Sequence, residues 1–280
     1  MKSFQQKVAA ITGAGSGIGR ALALALAREG CHLALADVDA GGLQETAASA
    51  RQSGVTVSAA CVDVADRAAV FAWADAVMSE HGRVNLLFNN AGVAHAGTVA
   101  QTPIEDYEWI VNINFWGVVY GTKAFLPHLK ASGEGHVVNI SSIFGVLSQP
   151  GMSAYNATKF AVRGMTESLR QELDLEDGGV SASCVHPGGI RTAIAQRARV
   201  SGTVLGLADG ADGRASMQQV FAEKLLRTSP DRAAQVILDG VRRNRRRILI
   251  GSDAWMLDGM QRLLPAGYQR LITGSLRWVR

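Results

Sequence analysis

The octet Thr12-Gly-Ala-Gly-Ser-Gly-Ile-Gly19 constrains this chain more than any other segment. The apolar run Val8-Ala-Ala-Ile11 precedes it, and the helical pattern Arg20-Ala-Leu-Ala-Leu-Ala-Leu-Ala-Arg-Glu29 follows. Alternating glycines continue neither a strand nor a helix, so the backbone must turn tightly between the two. Such a turn delivers bare backbone to the start of a helix, where unpaired N–H groups and the positive dipole end favour phosphate. It is the arrangement that seats a dinucleotide pyrophosphate at the edge of a parallel sheet. Further on, the apolar stretch His32-Leu-Ala-Leu-Ala36 ends in Asp37, close to the spacing at which an acidic side chain meets an adenosine ribose.

The rest of the chain repeats that rhythm. Apolar runs near 7–12, 32–37, 55–62, 84–88, 136–140, 180–185 and 247–250 read as strands. Helical patterns fall near 17–29, 41–53, 66–81, 104–115, 116–131, 153–177 and 231–243. This alternation specifies a single-domain α/β fold over 1–280, a Rossmann-like doubly wound seven-stranded parallel sheet flanked by helices, with right-handed crossovers. Ligands then gather at the carboxyl ends of the strands, where Gly13, Asp37, Asn89, Ser142 and Pro187 fall. A composition that is 48% hydrophobic and 19% charged provides a core and excludes a disordered chain. Cys31, Cys61 and Cys184 show no paired spacing and read as reduced thiols, which suits a cytoplasmic protein. The six histidines show no ligand spacing, so no metal is expected. Met1–Lys7 runs straight into the first strand, so no signal peptide is expected. No apolar stretch approaches the ~18–20 residues of a membrane span.

A second constellation carries chemistry. Tyr155 and Lys159 stand at i and i+4 of a helical pattern, on one face. A neighbouring ammonium favours the phenolate, lowering a group that ordinarily titrates near ~10 towards the range useful to a general acid/base. Ser142 closes the run His136-Val-Val-Asn-Ile-Ser-Ser142, placed to hold a reacting oxygen; Ser141 reads as a strand-end hydroxyl.

Together these segments resemble the short-chain dehydrogenase/reductase family over roughly residues 5–252. The resemblance implies a cofactor loop of Gly13, Ser16, Gly17, Ile18 and Gly19, with Asp37 and Val38 at the ribose and Asp63 and Val64 at the adenine. Asn90, Ala91 and Gly92 would pass over the cofactor, and Pro187, Gly188, Ile190 and Thr192 would meet its nicotinamide end. Asn114 would join Ser142, Tyr155 and Lys159 as the fourth catalytic residue, and Tyr155 and Lys159 would also touch the cofactor. From the residues alone, Asn114 reads equally as a helix-kink residue. The implied activity is hydride transfer between a nicotinamide and a small-molecule secondary alcohol or ketone. Asp37 would repel a 2′-phosphate, and no cation replaces Ser16 or directly follows Asp37, so NAD is expected over NADP. The rivals are an NADP-linked carbonyl reductase and a noncatalytic dinucleotide sensor, which should have lost Tyr155 or Lys159.

The resemblance also implies a homodimer or homotetramer, the helices near 104–131 and 153–177 pairing across a two-fold axis through Phe115, Trp116, Val119, Tyr120 and Phe125. Residues 190–228 would form a substrate lid, whose Ile190, Ile194, Val204, Leu205, Leu207, Met217 and Phe221 suggest a lipophilic substrate or internal packing, with Gly206, Gly210 and Gly213 as movable points. In the extension 253–280, Trp255, Met256, Met260, Leu263, Leu264, Tyr268, Leu271 and Ile272 recur at helical spacing among Arg262, Arg270, Arg277 and Arg280. That pattern fits packing within the protein or dimer, or a membrane surface without stable insertion. Arg242–Arg247 lacks interleaved aromatics and reads as a solvated turn, so no nucleic-acid partner is expected.

Overall fold

The computed structural model describes residues 1–202 and 228–277. Strands β1 (Val8–Thr12), β2 (His32–Asp37), β3 (Val57–Cys61), β4 (Leu86–Asn89), β6 (Gly135–Ile140), β7 (Val180–Pro187) and β9 (Arg247–Ile250) form one sheet in the order β3-β2-β1-β4-β6-β7-β9. Every pairing in it is parallel. The order reverses between β1 and β4, which opens the crevice where ligands of doubly wound sheets bind. The expected seven-stranded Rossmann-like sheet is therefore present.

Side-chain alternation divides the core in two. Ile11, Leu33, Leu35, Phe88, Val138, Val185 and Ile248 pack under α1 (Gly17–Arg28), α2 (Ala40–Arg51) and α7 (Pro230–Arg242). Ala10, Ala34, Leu87, Val137 and Ala182 pack under α3 (Arg67–His81), α5 (Gly117–Ala131) and α6 (Ser153–Glu176). Burial on both faces is why β1, β2 and β4 read as near-continuous apolar runs. Local caps start the helices: Asp39 accepts from Gly42 N, Asp66 from Ala69 N and Ser229 from Arg232 N.

The expected break near 115/116 is a π turn, Asn112–Trp116, between α4 (Ile104–Val111) and α5. Phe125, expected on an assembly face, instead sits in the core edge-on to Trp73 at 4.9 Å, because its position on α5 points to the sheet. Trp116 is partly exposed and stacks on Tyr120. A pair unforeseen in the sequence, β5 (His95–Gly97) with β8 (Arg199–Ser201), lies outside the main sheet. Three-residue strands are too short to leave a periodic signal.

The C-terminal extension folds as α8 (Ser252–Leu263) and α9 (Tyr268–Arg277). Leu264, preceding Pro265, adopts φ −129° and ends α8. Of the residues expected to form a lid, Val204, Leu205, Gly206, Leu207, Gly210, Gly213, Met217 and Phe221 lie outside the described residues, whereas Ile190 is buried. Among the described residues no helix is long and apolar enough to cross a membrane, and no His/Cys/Asp/Glu group is arranged to hold a metal.

Candidate active site

The glycine loop and the Asn89-Asn-Ala-Gly92 block are tied together at the carboxyl ends of β1 and β4. Thr12 Oγ1 accepts from the N–H groups of Asn90 and Ala91, both at 3.0 Å. Asn90 Nδ2 donates back to the Thr12 and Gly13 carbonyls. Ser16 stands at the N-cap of α1 with no side-chain capping bond, which leaves first-turn N–H groups to an anion. Gly17 takes φ +54°, and Thr192 Cγ2 lies 3.0 Å from where its Cβ would be, so the loop after β7 closes on the glycine loop. Asp37 ends β2 with Oδ2 accepting from Gly15 N at 2.7 Å and Oδ1 from Asp39 N at 2.9 Å. A carboxylate has further lone pairs, so this fixed group can still accept two ribose hydroxyls. Val38 is exposed beside it. Asp63 Oδ1 caps its own turn at Ala65 N, and the Val64 side chain is buried against Gly117. The donors, the open helix start and the fixed carboxylate fit a dinucleotide.

Ser142, Tyr155, Lys159 and Asn114 converge at the end of β6. Tyr155 and Lys159 lie one turn apart on α6, and Ser142 begins a short 3₁₀ turn, its Oγ accepting from Phe144 N at 3.1 Å. The Ser142 hydroxyl lies close enough to the Tyr155 phenol to lower its pKa. Lys159 Nζ donates to the Ile140 carbonyl at 3.0 Å and stands 5.7 Å from the Tyr155 ring centre. Asn114, on the π turn, is fully buried and accepts from Val93 N at 2.8 Å. It donates to Val93 O at 2.9 Å and Thr158 Oγ1 at 3.2 Å. A Cβ at Gly92 would stand 3.2 Å from Asn114 Oδ1 and 3.4 Å from Lys159 Nζ, so a side chain there would crowd Asn114. Ser141 Oγ donates to the Lys159 carbonyl, tying strand to helix.

The electrostatics differ from the expectation that Lys159 lowers the Tyr155 pKa. Burial pushes the Tyr155 phenol above its ordinary value, and the Ser142 hydroxyl offsets only part of that rise. Burial likewise pushes the Lys159 ammonium down to about 8. Both charged forms are penalised in a dry cleft, and Lys159 spends a donor on Ile140 instead of the phenol. In this protein desolvation outweighs the pair attraction.

Sequence reasoning missed several participants. His186, wholly buried, is held neutral with its pKa near 4, chiefly by desolvation, and Nδ1–H donates to the Ser142 carbonyl at 3.0 Å. Asp253, from α8, accepts from Gly189 N at 2.6 Å and fills the space beside Gly188 and Gly251. It holds the turn after Pro187 from a helix 64 residues away, a separation that leaves no local signature. Ala94, Met152 and Ala154 cluster with Tyr155, and Val93, Phe144 and Ala198 pack against them. Phe144 meets the Tyr155 ring edge-on at 6.4 Å. Arg20 donates to Gly15 O and pairs with Glu45, while Arg197 lies 3.7 Å from Asp39. Two cations thus flank the glycine loop where spacing around Asp37 showed none.

Fold and site together define a nucleotide-binding α/β protein with a Ser-Tyr-Lys cluster at its switch point. Residues 7–201 match the family described as short chain dehydrogenase. A Mycobacterium tuberculosis protein named "Putative oxidoreductase SadH" is 50% identical over 280 residues, covering 99% of this chain and 97% of that one. A Burkholderia phymatum short chain dehydrogenase/reductase solved in complex with NAD superposes with a TM-score of 0.85 at 32% identity, covering 95% of this chain and 96% of that one. An alcohol dehydrogenase from the archaeon Thermococcus sibiricus, complexed with 5-hydroxy-NADP, gives 0.72 at 26% identity over 87% of this chain and 95% of that one. The chain belongs to the short-chain dehydrogenase family of oxidoreductases.

Proposed function

We propose that this oxidoreductase interconverts a lipophilic secondary alcohol and its ketone, preferring NAD(H), with Tyr155 as the general acid/base. The observation that carries the reading is the buried meeting of Ser142, Tyr155, Lys159 and Asn114 within apolar walls contributed by Ala94, Phe144 and Met152. The bound nicotinamide supplies the hydride acceptor in oxidation and the hydride donor in reduction. Tyr155 gives its proton to the carbonyl oxygen in reduction and takes the hydroxyl proton in oxidation. Ser142 hydrogen-bonds the same oxygen and stabilises charge as it develops. Because burial raises the Tyr155 pKa, its resting form is the phenol, the acid that ketone reduction needs. Lys159 stabilises the phenolate when it forms and helps hold the cofactor ribose. Asn114 is a positioning residue: its side chain joins Val93 to Thr158 on α6, keeping Lys159 and a relay water in place.

A dinucleotide would be held with its pyrophosphate on Gly13, Ser16, Gly17, Ile18 and Gly19 and its ribose at Asp37 and Val38. Asp63 and Val64 would border the adenine, and Asn90, Ala91, Gly92, Pro187, Gly188, Ile190 and Thr192 the remainder. Residues 190–228 serve as the substrate lid. The enzyme is read as a cytoplasmic homodimer or homotetramer, assembling through the face that carries Trp116 and Tyr120. An NADP-linked reductase is the second reading, on one observation: Arg197 beside Asp39 offers a cation near a 2′-phosphate. A noncatalytic sensor would have shed Tyr155 or Lys159, and both are present.

The test is turnover of a panel of secondary alcohols and ketones with NAD(H), followed by the absorbance of reduced nicotinamide. Tyr155→Phe should remove the ~10²–10⁴-fold that proton transfer contributes, with NAD affinity nearly unchanged. A variant retaining more than about one hundredth of parental activity refutes the assignment.

A further inference from the structure

The two C-terminal helices bury one side and leave the other bare. Ala254 and Tyr268 are buried, and Leu257, Met260 and Ile272 pack with them against Ile143, Val146, Leu147 and Leu249. Tyr268 Oη accepts from Ser148 N at 3.1 Å, fastening α9 to the segment that follows Ser142. On the opposite side of α8 Trp255 is 59%, Met256 67% and Leu263 82% exposed; Leu264, just after that helix, and Leu271 on α9 are exposed as well. At 100° per residue, Trp255, Met256, Gly259 and Leu263 fall on one face of α8, so the exposure is a stripe and not scatter. Four large apolar side chains exposed on two short helices, with a fifth in the turn between them, mark a docking surface more than an ordinary solvated one.

Charge decides what would dock. The described helices carry two carboxylates, and both are engaged inward: Asp253 accepts from Gly189 N, and buried Asp258 pairs with Arg247 and Arg262. Arg262 and Arg270 remain exposed on the tail. Arg247 opens β9 and reaches Asp258 on α8, and the turn just before it carries the exposed Arg243 and Arg245. The sequence adds Arg277 and Arg280.

We propose that this face docks the enzyme on an anionic phospholipid surface, the helices lying flat with Trp255, Met256, Leu263 and Leu271 in the acyl boundary and the arginines on phosphates. A second copy of the chain is the poorer occupant. An isologous contact sets the patch against itself, and among the described residues the two tail helices offer no exposed carboxylate to face the arginines across it. The docking rests on the tail's own residues and is independent of which alcohol the enzyme oxidises.

The experiment is co-sedimentation of the full-length protein with phosphatidylcholine vesicles containing or lacking phosphatidylglycerol. Binding is expected only to the anionic vesicles and should weaken as salt rises. Arg270→Glu should lower partitioning roughly fivefold or more. Trp255→Ser combined with Leu263→Ser should lower it at least about tenfold. Both variants keep the thermal midpoint and the solution turnover of the parent, because these residues lie on the exposed side. Failure to bind anionic vesicles overturns the proposal, as does binding that the substitutions leave unchanged. If the double substitution instead reduces the molecular mass seen by light scattering, the face is an interface between copies and the proposal falls.

Discussion

Replacing Lys159 by methionine should abolish turnover and yet stabilise the cofactor-free protein. Lys159 is only 4% exposed, and burial lowers its ammonium from 10.5 to about 8. At about 1.4 kcal/mol per pKa unit, a drop of two and a half units withholds roughly 3 kcal/mol of stability at neutral pH. Methionine has a similar length and no charge, so it refills the slot. It also strands the Ile140 carbonyl that Lys159 now bonds at 3.0 Å, a cost of about 1–2 kcal/mol. The net expectation is a gain of about 1–2 kcal/mol, a rise of roughly 2–6 °C in the unfolding midpoint. The pH dependence separates this account from simple repacking. Between about 8 and 10.5 the unfolded chain holds a proton on Lys159 that the folded chain has shed, so parental stability gains with pH across that window. The methionine variant lacks that gain, and its advantage should shrink towards the top of the window. The assay is urea or thermal unfolding of both proteins at neutral pH and at about pH 9.5. A variant less stable than the parent at neutral pH, or an advantage that does not shrink with pH, refutes the claim that desolvation dominates this cleft.

Asp37→Ala removes the acceptor fixed by Gly15 and Asp39; NAD affinity should fall about tenfold or more and the NAD/NADP gap should narrow, as titrations with both cofactors would read. A parent that already prefers NADP defeats the charge argument. His136 and His186 are buried neutral, with pKa values pushed down to about 3 and about 4, so below about 6.5 the unfolded chain binds protons that the folded chain cannot. Stability should therefore fall as pH drops from about 6.5 towards 4, by about 1.4 kcal/mol per pH unit for each histidine. Urea midpoints between pH 7 and 5 would show it, and His136→Gln should flatten the curve. Tyr268→Ala should cost about 3 kcal/mol and raise the substrate KM through the 143–148 segment, with the NAD dissociation constant held within about twofold; equal effects on both ligands would contradict a role confined to that segment.

The strands, the helices and the switch point follow from features the chain carries locally. Apolar runs such as Val8–Ile11 and Leu86–Phe88 are continuous because both sheet faces are covered, and the glycine octet permits no other junction between β1 and α1. Tyr155 and Lys159 are legible because helical spacing alone places them on one face. The π turn at Asn114 was half-legible: asparagine signals a local break, while its bonds to Val93 and Thr158 are set only when α6 packs nearby. What only the tertiary structure decided lies between residues distant in sequence. His186 steadies Ser142, and Asp253 reaches back to Gly189, through contacts with no periodic signature. Phe125 carries an aromatic ring as suited to an interface as to a core, and the rotation of α5 against the sheet turned it inward. The protonation of the site is the clearest case. Sequence places an ammonium beside a phenol, which suggests mutual stabilisation. The sign of the outcome depends on how much water remains, and the folded cleft removes enough to penalise both charges.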